Sequence, residues 1–354
     1  MDLLNKVITL EKSMRACNNL KVFIVTEGGK DIGFGHITRC KSLCQAFEKN
    51  GIIPTFITND NKAVKDLLKD KNHHILNWSE DQGELFGIIG NADIVIIDSY
   101  LADINLYRKV SEIIKVPVYI DDNMRLDYPK GLVVNGNIFA EELNYPKKEG
   151  ISYLLGCRYF PLRREFLENI EKKIRGNIET VMITFGGDDA RNMTPRVLKL
   201  LAKEYPDFAK NVVIGNAFQN IDEIRAEGDD KTKLIYSLDA QGMKDVMIGS
   251  DIAISLGGQT LYELAAVSVP TIAVAVAENQ LNNVRGCQKA GFIEYAGWWE
   301  DIQFLEGITK SLKYLQDREL REKMVKIGRS LVDGNGASRV VEDLFKRVPY
   351  KNYN

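Results

Sequence analysis

The sequence has 354 residues, with 47 Lys and Arg set against 49 Asp and Glu, for a formal net charge of −2. That length exceeds what one hydrophobic core usually organises, so two domains are expected. The balanced charge lacks the basic footprint of a nucleic-acid binder, and no apolar run approaches the ~18 residues of a membrane span.

Residues 1–19 mix charges into an apolar stretch and lack a signal-peptide core, so the expected location is cytoplasmic. After this extension, Leu20 to Val25 reads as a buried first strand. The turn Glu27 to Gly33 follows, then a helical pattern through Ile37, Cys40, Leu43, Cys44 and Phe47, closed by Gly51. Ile52 to Thr58 reads as a strand, Ala63 to Leu68 as a short helix and Ile75 to Trp78 as another strand. Asp93 to Ile97 is an apolar run without alternation, as in a parallel sheet covered on both faces. Val116 to Ile120 and Gly131 to Val134 continue the series. Strands alternating with helices imply a doubly wound α/β sheet over residues 20–166.

Near Phe166 the pattern changes to a charged helical stretch, Glu168 to Arg175, closed by Gly176 and read as a linker. A second alternating series then defines a domain over 177–354. Its strands are Thr180 to Phe185, Asn211 to Ile214, Lys233 to Tyr236, Ile252 to Ser255 and Thr271 to Ala275. Helices fit Pro195 to Ala202, Met243 to Ile248 and Thr260 to Ala266. The charged tail, Asp301 to Phe345, reads as wholly helical with a solvated face. Ligands of open α/β sheets bind beyond the carboxyl ends of the strands, so chemistry is expected in the loops that follow strands.

The five cysteines, Cys17, Cys40, Cys44, Cys157 and Cys287, are odd in number and scattered, which does not make a disulfide framework. Cys40 and Cys44 share a helical face, but no second ligand pair accompanies them, and they read as small buried hydrophobes. Of the three histidines, His73 and His74 are adjacent and read as surface loop residues. His36 stands in the turn Gly33-Phe34-Gly35-His36 between the first strand and first helix. The two glycines allow a tight turn and close approach of a ligand to the backbone. Amide donors at the helix start favour an anion, and the helix dipole there favours neutral imidazole, which suits a general base. A helix-capping or loop-packing His36 fits the spacing equally. A dinucleotide fingerprint would need a glycine where Thr38 stands.

Asp98-Ser99-Tyr100 follows the strand Asp93 to Ile97. There Tyr100 can bond a sugar or phosphate oxygen and Asp98 can orient a neighbour, or the segment is an Asx-type turn. Asp121-Asp122-Asn123 fits turn capping better than a divalent ion. Gly186-Gly187-Asp188-Asp189 resembles a phosphate-cradling turn without the P-loop lysine, and either aspartate can cap the next helix. Gly257-Gly258-Gln259-Thr260 leads a strand into a helix start suited to a diphosphate. Glu263, one turn in, can accept two ribose hydroxyls or form a capping box with Thr260. Glu278-Asn279-Gln280 ends at another helix start.

Together, Ile32-Gly-Phe-Gly-His-Ile-Thr-Arg39, Ile97-Asp-Ser-Tyr100, Gly156-Cys-Arg-Tyr-Phe-Pro-Leu-Arg163, Phe185-Gly-Gly-Asp188 and the segment Gly257 to Gln280 resemble one family. It is the UDP-sugar hydrolases of pseudaminic acid synthesis and their relatives in spore-coat polysaccharide synthesis. The resemblance runs from about Leu20 to Gly291. It implies a GT-B fold, two Rossmann-like domains facing a central cleft, and a metal-independent hydrolysis. In that reaction UDP-2,4-diacetamido-2,4,6-trideoxy-β-L-altropyranose and water give the free sugar and UDP with inversion. The resemblance makes His36 the base that activates water, places Tyr100 near the sugar, and gives Glu263 and Asn279 the nucleotide and substrate. Gly33, Gly35, Arg39, Asp98, Gly186, Gly187, Asp188, Gly257, Gly258, Gln259, Thr260 and Gln280 complete the expected binding set, with no cofactor. The partner implied is a small-molecule nucleotide-sugar. Family members often carry an arginine and an aspartate just after the first strand. Here Val25-Thr26-Glu27 stands instead, with Glu27 in place of the aspartate and nothing in place of the arginine. A glycosyltransferase of the same fold, a non-catalytic nucleotide-sugar binder and, last, an epimerase that eliminates UDP are the competing readings.

Overall fold

The computed structural model describes residues 20–29, 32–167 and 172–348. Two compact units emerge: the first holds the chain up to Arg163 and again from Asn335 onward, the second Arg164–Gly334. The expected extension, 1–19, lies outside the described residues.

The first unit is a seven-stranded parallel sheet. Its strands are β1 (Val22–Thr26), β2 (Thr55–Thr58), β3 (His73–Ile75), β4 (Ile94–Asp98), β5 (Val116–Ile120), β6 (Gly131–Asn135) and β7 (Ile151–Leu155). They lie in the order β3-β2-β1-β4-β5-β6-β7. All five residues of β4 and of β5 are buried, which is why these strands read as unbroken apolar runs. The chain first builds outward from β1 through β2 to β3, then returns to place β4 on the other side of β1. Strand order reverses between β1 and β4, the point at which a doubly wound sheet opens a crevice. Thr26 pairs with Asp98 in that register, so the loops leaving β1 and β4 start side by side.

The helix Gly35–Glu48 buries Ile37, Cys40, Leu43, Cys44 and Phe47, the three-and-four spacing that puts one stripe on the sheet. Full burial of Leu43 or Phe47 contributes about 1.5–3 kcal/mol each. The last helix, Gly336–Arg347, joins the same core through Ala337, Val340, Val341 and Leu344. Phe345 meets Phe47 edge-on, ring centroids 5.9 Å apart. At Gly336 a Cβ would sit 2.1 Å from the Phe160 carbonyl oxygen, so only glycine allows that approach. The expected second domain, 177–354, is thereby corrected: its last helix belongs to the first unit, because its apolar stripe completes that unit's core.

The second unit is a six-stranded parallel sheet of β8 (Thr180–Thr184), β9 (Ala209–Ile214), β10 (Thr232–Tyr236), β11 (Ile252–Leu256), β12 (Thr271–Ala275) and β13 (Ile293–Trp298), ordered β10-β9-β8-β11-β12-β13. Its order reverses between β8 and β11, as the first sheet's does between β1 and β4.

Several local expectations differ from the structure. β7 and β13 carry no unbroken apolar run, since both are edge strands with half-buried positions. The strand expected at Ile75 to Trp78 is His73–Ile75 instead. His73 and His74 thus lie on an edge strand paired with β2 and not in a loop, while Trp78 is buried and donates its indole N–H to the Thr26 carbonyl at 3.2 Å. The charged tail is three helices, Phe304–Tyr314, Arg318–Leu331 and Gly336–Arg347, separated by the Asp317 cap and by Gly334 at φ 79. Each buries one apolar face, as Phe304, Ile308 and Leu312 do for the first. Half of the expected charged helix, residues 168–171, lies outside the described residues. Lys172 to Arg175 are not helical. Lys172 donates to the Met247 and Ser250 carbonyls and Arg175 to Asp251, so this stretch is docked on the second unit.

Candidate active site

At the first sheet's switch point the chain leaves β1 through Thr26 and Glu27. Gly29 and Gly33 then close a small loop by exchanging backbone hydrogen bonds of 3.1 and 2.7 Å. Gly33 adopts φ 78, a left-handed turn that glycine makes without strain. The helix begins at Gly35 with Phe34 at the N-cap, which brings no side-chain cap. His36 therefore stands in the first helical turn, and it is buried.

What His36 meets there is the end of β4. Its Nδ1 lies 2.5 Å from Asp98 Oδ1. Arg39, three residues along the same helix face, brackets that carboxylate, with Nε 2.5 Å from Oδ2 and Nη2 2.6 Å from Oδ1. Its remaining nitrogen, Nη1, donates to Asp122 Oδ1 at 2.5 Å. Tyr100 donates its hydroxyl to Asp122 Oδ2 at 2.7 Å, and its ring meets the imidazole edge-on, 4.6 Å between centroids. The Cys40 thiol donates to Asp98 Oδ2 at 3.4 Å.

Burial alone would raise the Asp98 carboxyl, but Arg39 and then His36 hold it well below the usual carboxylate range. At Asp122, too, burial is outweighed chiefly by Arg39, and its carboxyl is lowered. Burial pushes the Cys40 thiol well up, so it is no nucleophile there. An ionised Asp98 only accepts hydrogen bonds, so Nδ1 of His36 is the donor, and it is the tautomer with its lone pair on Nε2 that this contact selects for a neutral ring. Arg39 Nη2 lies 3.2 Å from Nδ1 because both donate to one oxygen, Oδ1. The arrangement is an imidazole oriented by a carboxylate that is itself held ionised chiefly by a buried guanidinium, a geometry that can serve a general base.

The loop carrying Asp122 is braced from beneath. Asp121 accepts the hydroxyls of Tyr128, at 3.1 Å, and Tyr145, at 2.5 Å. Asn135 and Asn137 donate to the Asp122 carbonyl at 2.9 and 3.3 Å. The two adjacent carboxylates thus serve different partners, and no group of acidic, His or Cys side chains among the described residues is arranged to hold a metal.

The second unit's switch point is built from glycines and amides. Gly186, at φ 83, and Gly187 follow β8, and a Cβ on Gly215 would lie 2.3 Å from the Gly187 carbonyl oxygen. Asp189, not Asp188, caps the helix Met193–Glu204, accepting the Met193 and Thr194 amides at 2.8 and 3.0 Å. Burial raises its carboxyl, against hydrogen bonds led by Asn220. After β11, Gly257 is pinned: Asn283 donates to its carbonyl at 2.8 Å and in turn accepts the Tyr262 hydroxyl. A Cβ there would meet Val284 Cγ1 at 2.4 Å. Gln259 is the N-cap of the helix Thr260–Ala266 and brings no side-chain cap. Thr260 is thus the first residue of that helix and not its N-cap. Glu263 is buried in that helix's first turn. Gln280 accepts the Val276 amide at 3.1 Å, while Asn279 is exposed.

The structure thus gathers His36, Arg39, Asp98 and Tyr100 into one cluster. Around β11 it gathers Gly257, Gly258, Gln259, Thr260 and Glu263, with Gln280 beside Gly257. Gly35 lies exposed at the first helix start, and Asp188 is half-buried. Asp122 as the shared partner of Arg39 and Tyr100, and Asn283 and Tyr262 as the brace of Gly257, were not assigned from the sequence. Only their position just after, or packed beneath, the strand ends hinted at them.

No protein-family model matches this chain. It is 28% identical over 279 residues to an uncharacterised protein of Methanocaldococcus jannaschii, covering 74% of this chain and 56% of that one. It is 24% identical over 347 residues to the spore coat polysaccharide biosynthesis protein SpsG of Bacillus subtilis, covering 93% and 99%. A third relative is the pseudaminic acid cytidylyltransferase and UDP-2,4-diacetamido-2,4,6-trideoxy-β-L-altropyranose hydrolase of Helicobacter pylori, at 24% identity over 74% of this chain and 46% of that one. The chain thus spans about half the length of the first and third. Among solved structures, MurG of Acinetobacter baumannii matches with TM-score 0.63 at 15% identity over 92% and 99% of the two chains. The UDP-GlcNAc 2-epimerase of Neisseria meningitidis bound to UDP-GlcNAc matches at 0.61, with 14% identity over 92% and 100%. The chain is distantly homologous to SpsG and to the hydrolase-containing protein, and its two parallel sheets are GT-B-like.

Proposed function

We propose that this chain is a nucleotide-sugar hydrolase that releases UDP and free sugar from a UDP-linked 2,4-diacetamido-trideoxy hexose. The observation that carries this reading is the Asp98–His36 pair held by Arg39 and flanked by Tyr100 at the first sheet's switch point. Distant homology to a protein that includes such a hydrolase supports the substrate class.

His36 Nε2 takes a proton from water as the water oxygen bonds to the anomeric carbon. The bond from that carbon to the phosphate oxygen breaks with inversion, and its electron pair leaves with UDP. Asp98 stabilises the imidazolium that forms, as an orienting carboxylate does. Tyr100 lines the sugar. Gly257, Gly258, Gln259, Thr260, Glu263, Asn279 and Gln280 hold the nucleotide, with Gly186, Gly187 and Asp188 on the adjoining loop, and amides at the helix starts offset the departing diphosphate charge.

The test is incubation with UDP-, CMP- and GDP-sugars and no acceptor, reading released nucleotide. Release of UDP together with free sugar is expected. The fold likeness to MurG favours a second reading, a transferase in which His36 deprotonates an acceptor hydroxyl. It predicts almost no UDP release until an acceptor is added. A non-catalytic binder retains UDP and turns over nothing, and an epimerase yields an exchanged sugar.

A further inference from the structure

Glu27 is the first residue after β1, and its side chain is fully buried. Oε1 accepts the backbone amides of Tyr100 at 2.6 Å and Leu101 at 3.3 Å, reaching across 73 residues of sequence for the first. Oε2 has no hydrogen-bond partner among the described residues. Burial raises the Glu27 carboxyl above its ordinary range, against lowering by Ser99 and His36.

The turn after β4 does not need this carboxyl to close. Ser99 Oγ already accepts the Leu101 and Ala102 amides at 2.9 and 2.8 Å. What Glu27 adds is a grip on the amide of Tyr100, the residue whose ring lies edge-on to His36 and whose hydroxyl reaches Asp122. A buried acid with one unpaired oxygen is costly relative to a satisfied group. A packing role would be filled more cheaply by an apolar side chain, so the cost points to the grip itself.

We infer that Glu27 is a positioning residue for His36: by holding the Tyr100 backbone to the end of β1 it seats the Tyr100 ring against the imidazole. Asp98 fixes Nδ1, and the seated ring blocks rotation of the imidazole about its Cβ–Cγ bond. Nε2 then keeps one direction. Misplacement of a reacting group by about 1 Å costs as much as 100-fold in rate, which is the scale such a clasp protects.

The test is NMR of the imidazole resonances in the parent chain and in Tyr100→Ala, Glu27→Ala and Glu27→Gln. His73 and His74, on the edge strand β3, serve as internal references. Glu27→Ala is expected to move the His36 resonances in the same direction as Tyr100→Ala, with His73 and His74 unmoved. Glu27→Gln keeps an acceptor oxygen and is expected to return His36 most of the way to its parent position. A Glu27→Ala protein with His36 at its parent position overturns the inference. So does one in which all three histidines move together, and so does a Glu27→Gln protein displaced as far as Tyr100→Ala. A kinetic arm rests on the hydrolase reading: Glu27→Ala should lower kcat for nucleotide release about tenfold at unchanged KM, and Glu27→Gln should restore it. If the parent chain releases no nucleotide, the hydrolase reading falls while the NMR result still decides the role of Glu27.

Discussion

At the first sheet's switch point the chain concentrates charge in a buried space: two carboxylates held ionised and an imidazole, each in contact with one guanidinium. At the second sheet's switch point it concentrates glycine and backbone, with Gly186, Gly187, Gly257 and Gly258 beyond the strand ends and Asn283 and Tyr262 bracing from below. The strand orders are alike, so topology fixed only where each site sits. On the proposed function, the difference in residue type sets what each does: paired charges orient a proton acceptor, while bare backbone admits a large anionic ligand. Substitutions in the first unit should therefore act on turnover, and those in the second on nucleotide affinity.

The largest expected effect is His36→Asn. Loss of a general base should lower kcat by about 10²–10⁴-fold while UDP affinity, read by calorimetry, stays within a few fold. Survival of near-parent turnover would sink the base assignment and the contrast with it.

Removing one partner of the buried ion pair comes next. Arg39→Ala takes the guanidinium from Asp98 and Asp122, leaving the first to His36 and Cys40 and the second to Tyr100 and Asn137, and should destabilise the first unit by about 3–5 kcal/mol in a denaturant titration. The pH dependence follows the same pair. The folded-state Asp98 carboxyl lies below its unfolded value, so its stabilisation is present above about pH 3.9 and is lost as pH falls below it. The parent chain should lose stability steeply on acidification through that range. Arg39→Ala should lose less, and equal acid slopes in the two proteins would remove the ion pair from the account.

Gly257→Ala tests the other side. Its Cβ would press on Val284 at 2.4 Å, a strain of about 1–3 kcal/mol, displacing the turn. UDP affinity should fall by about tenfold or more with kcat at saturation little changed. A kcat loss at unaltered affinity would erase the division between the units.

Tyr100→Phe is the mildest change. It removes one hydrogen bond to Asp122, on the order of 1–1.5 kcal/mol, and keeps the ring against His36. Turnover should fall by about tenfold or less, and a loss as deep as that of His36→Asn would make the hydroxyl part of the chemistry.

The sequence by itself determined the two alternating α/β series, the turn that carries His36 and the glycine pairs that follow β8 and β11. Each is written locally: an unbroken apolar run for a buried parallel strand, and glycines where the backbone must turn tightly. β5 (Val116–Ile120), β12 (Thr271–Ala275) and the helix Thr260–Ala266 match their expected limits residue for residue, because apolar runs and turn residues bound them on both sides. Edge strands β7 and β13 were not legible, since a half-exposed strand needs no such run.

Only the tertiary structure decided which residues meet. His36, Asp98 and Asp122 come from three separate stretches of chain. Their contact depends on β4 crossing back to the far side of β1, a sheet order that no local pattern encodes. The same is true of the last helix, whose amphipathic stripe announced burial without saying in which core. Periodicity shows that a face must be covered. What covers it, and which charges are pressed together as a result, depends on contacts between segments far apart in the chain.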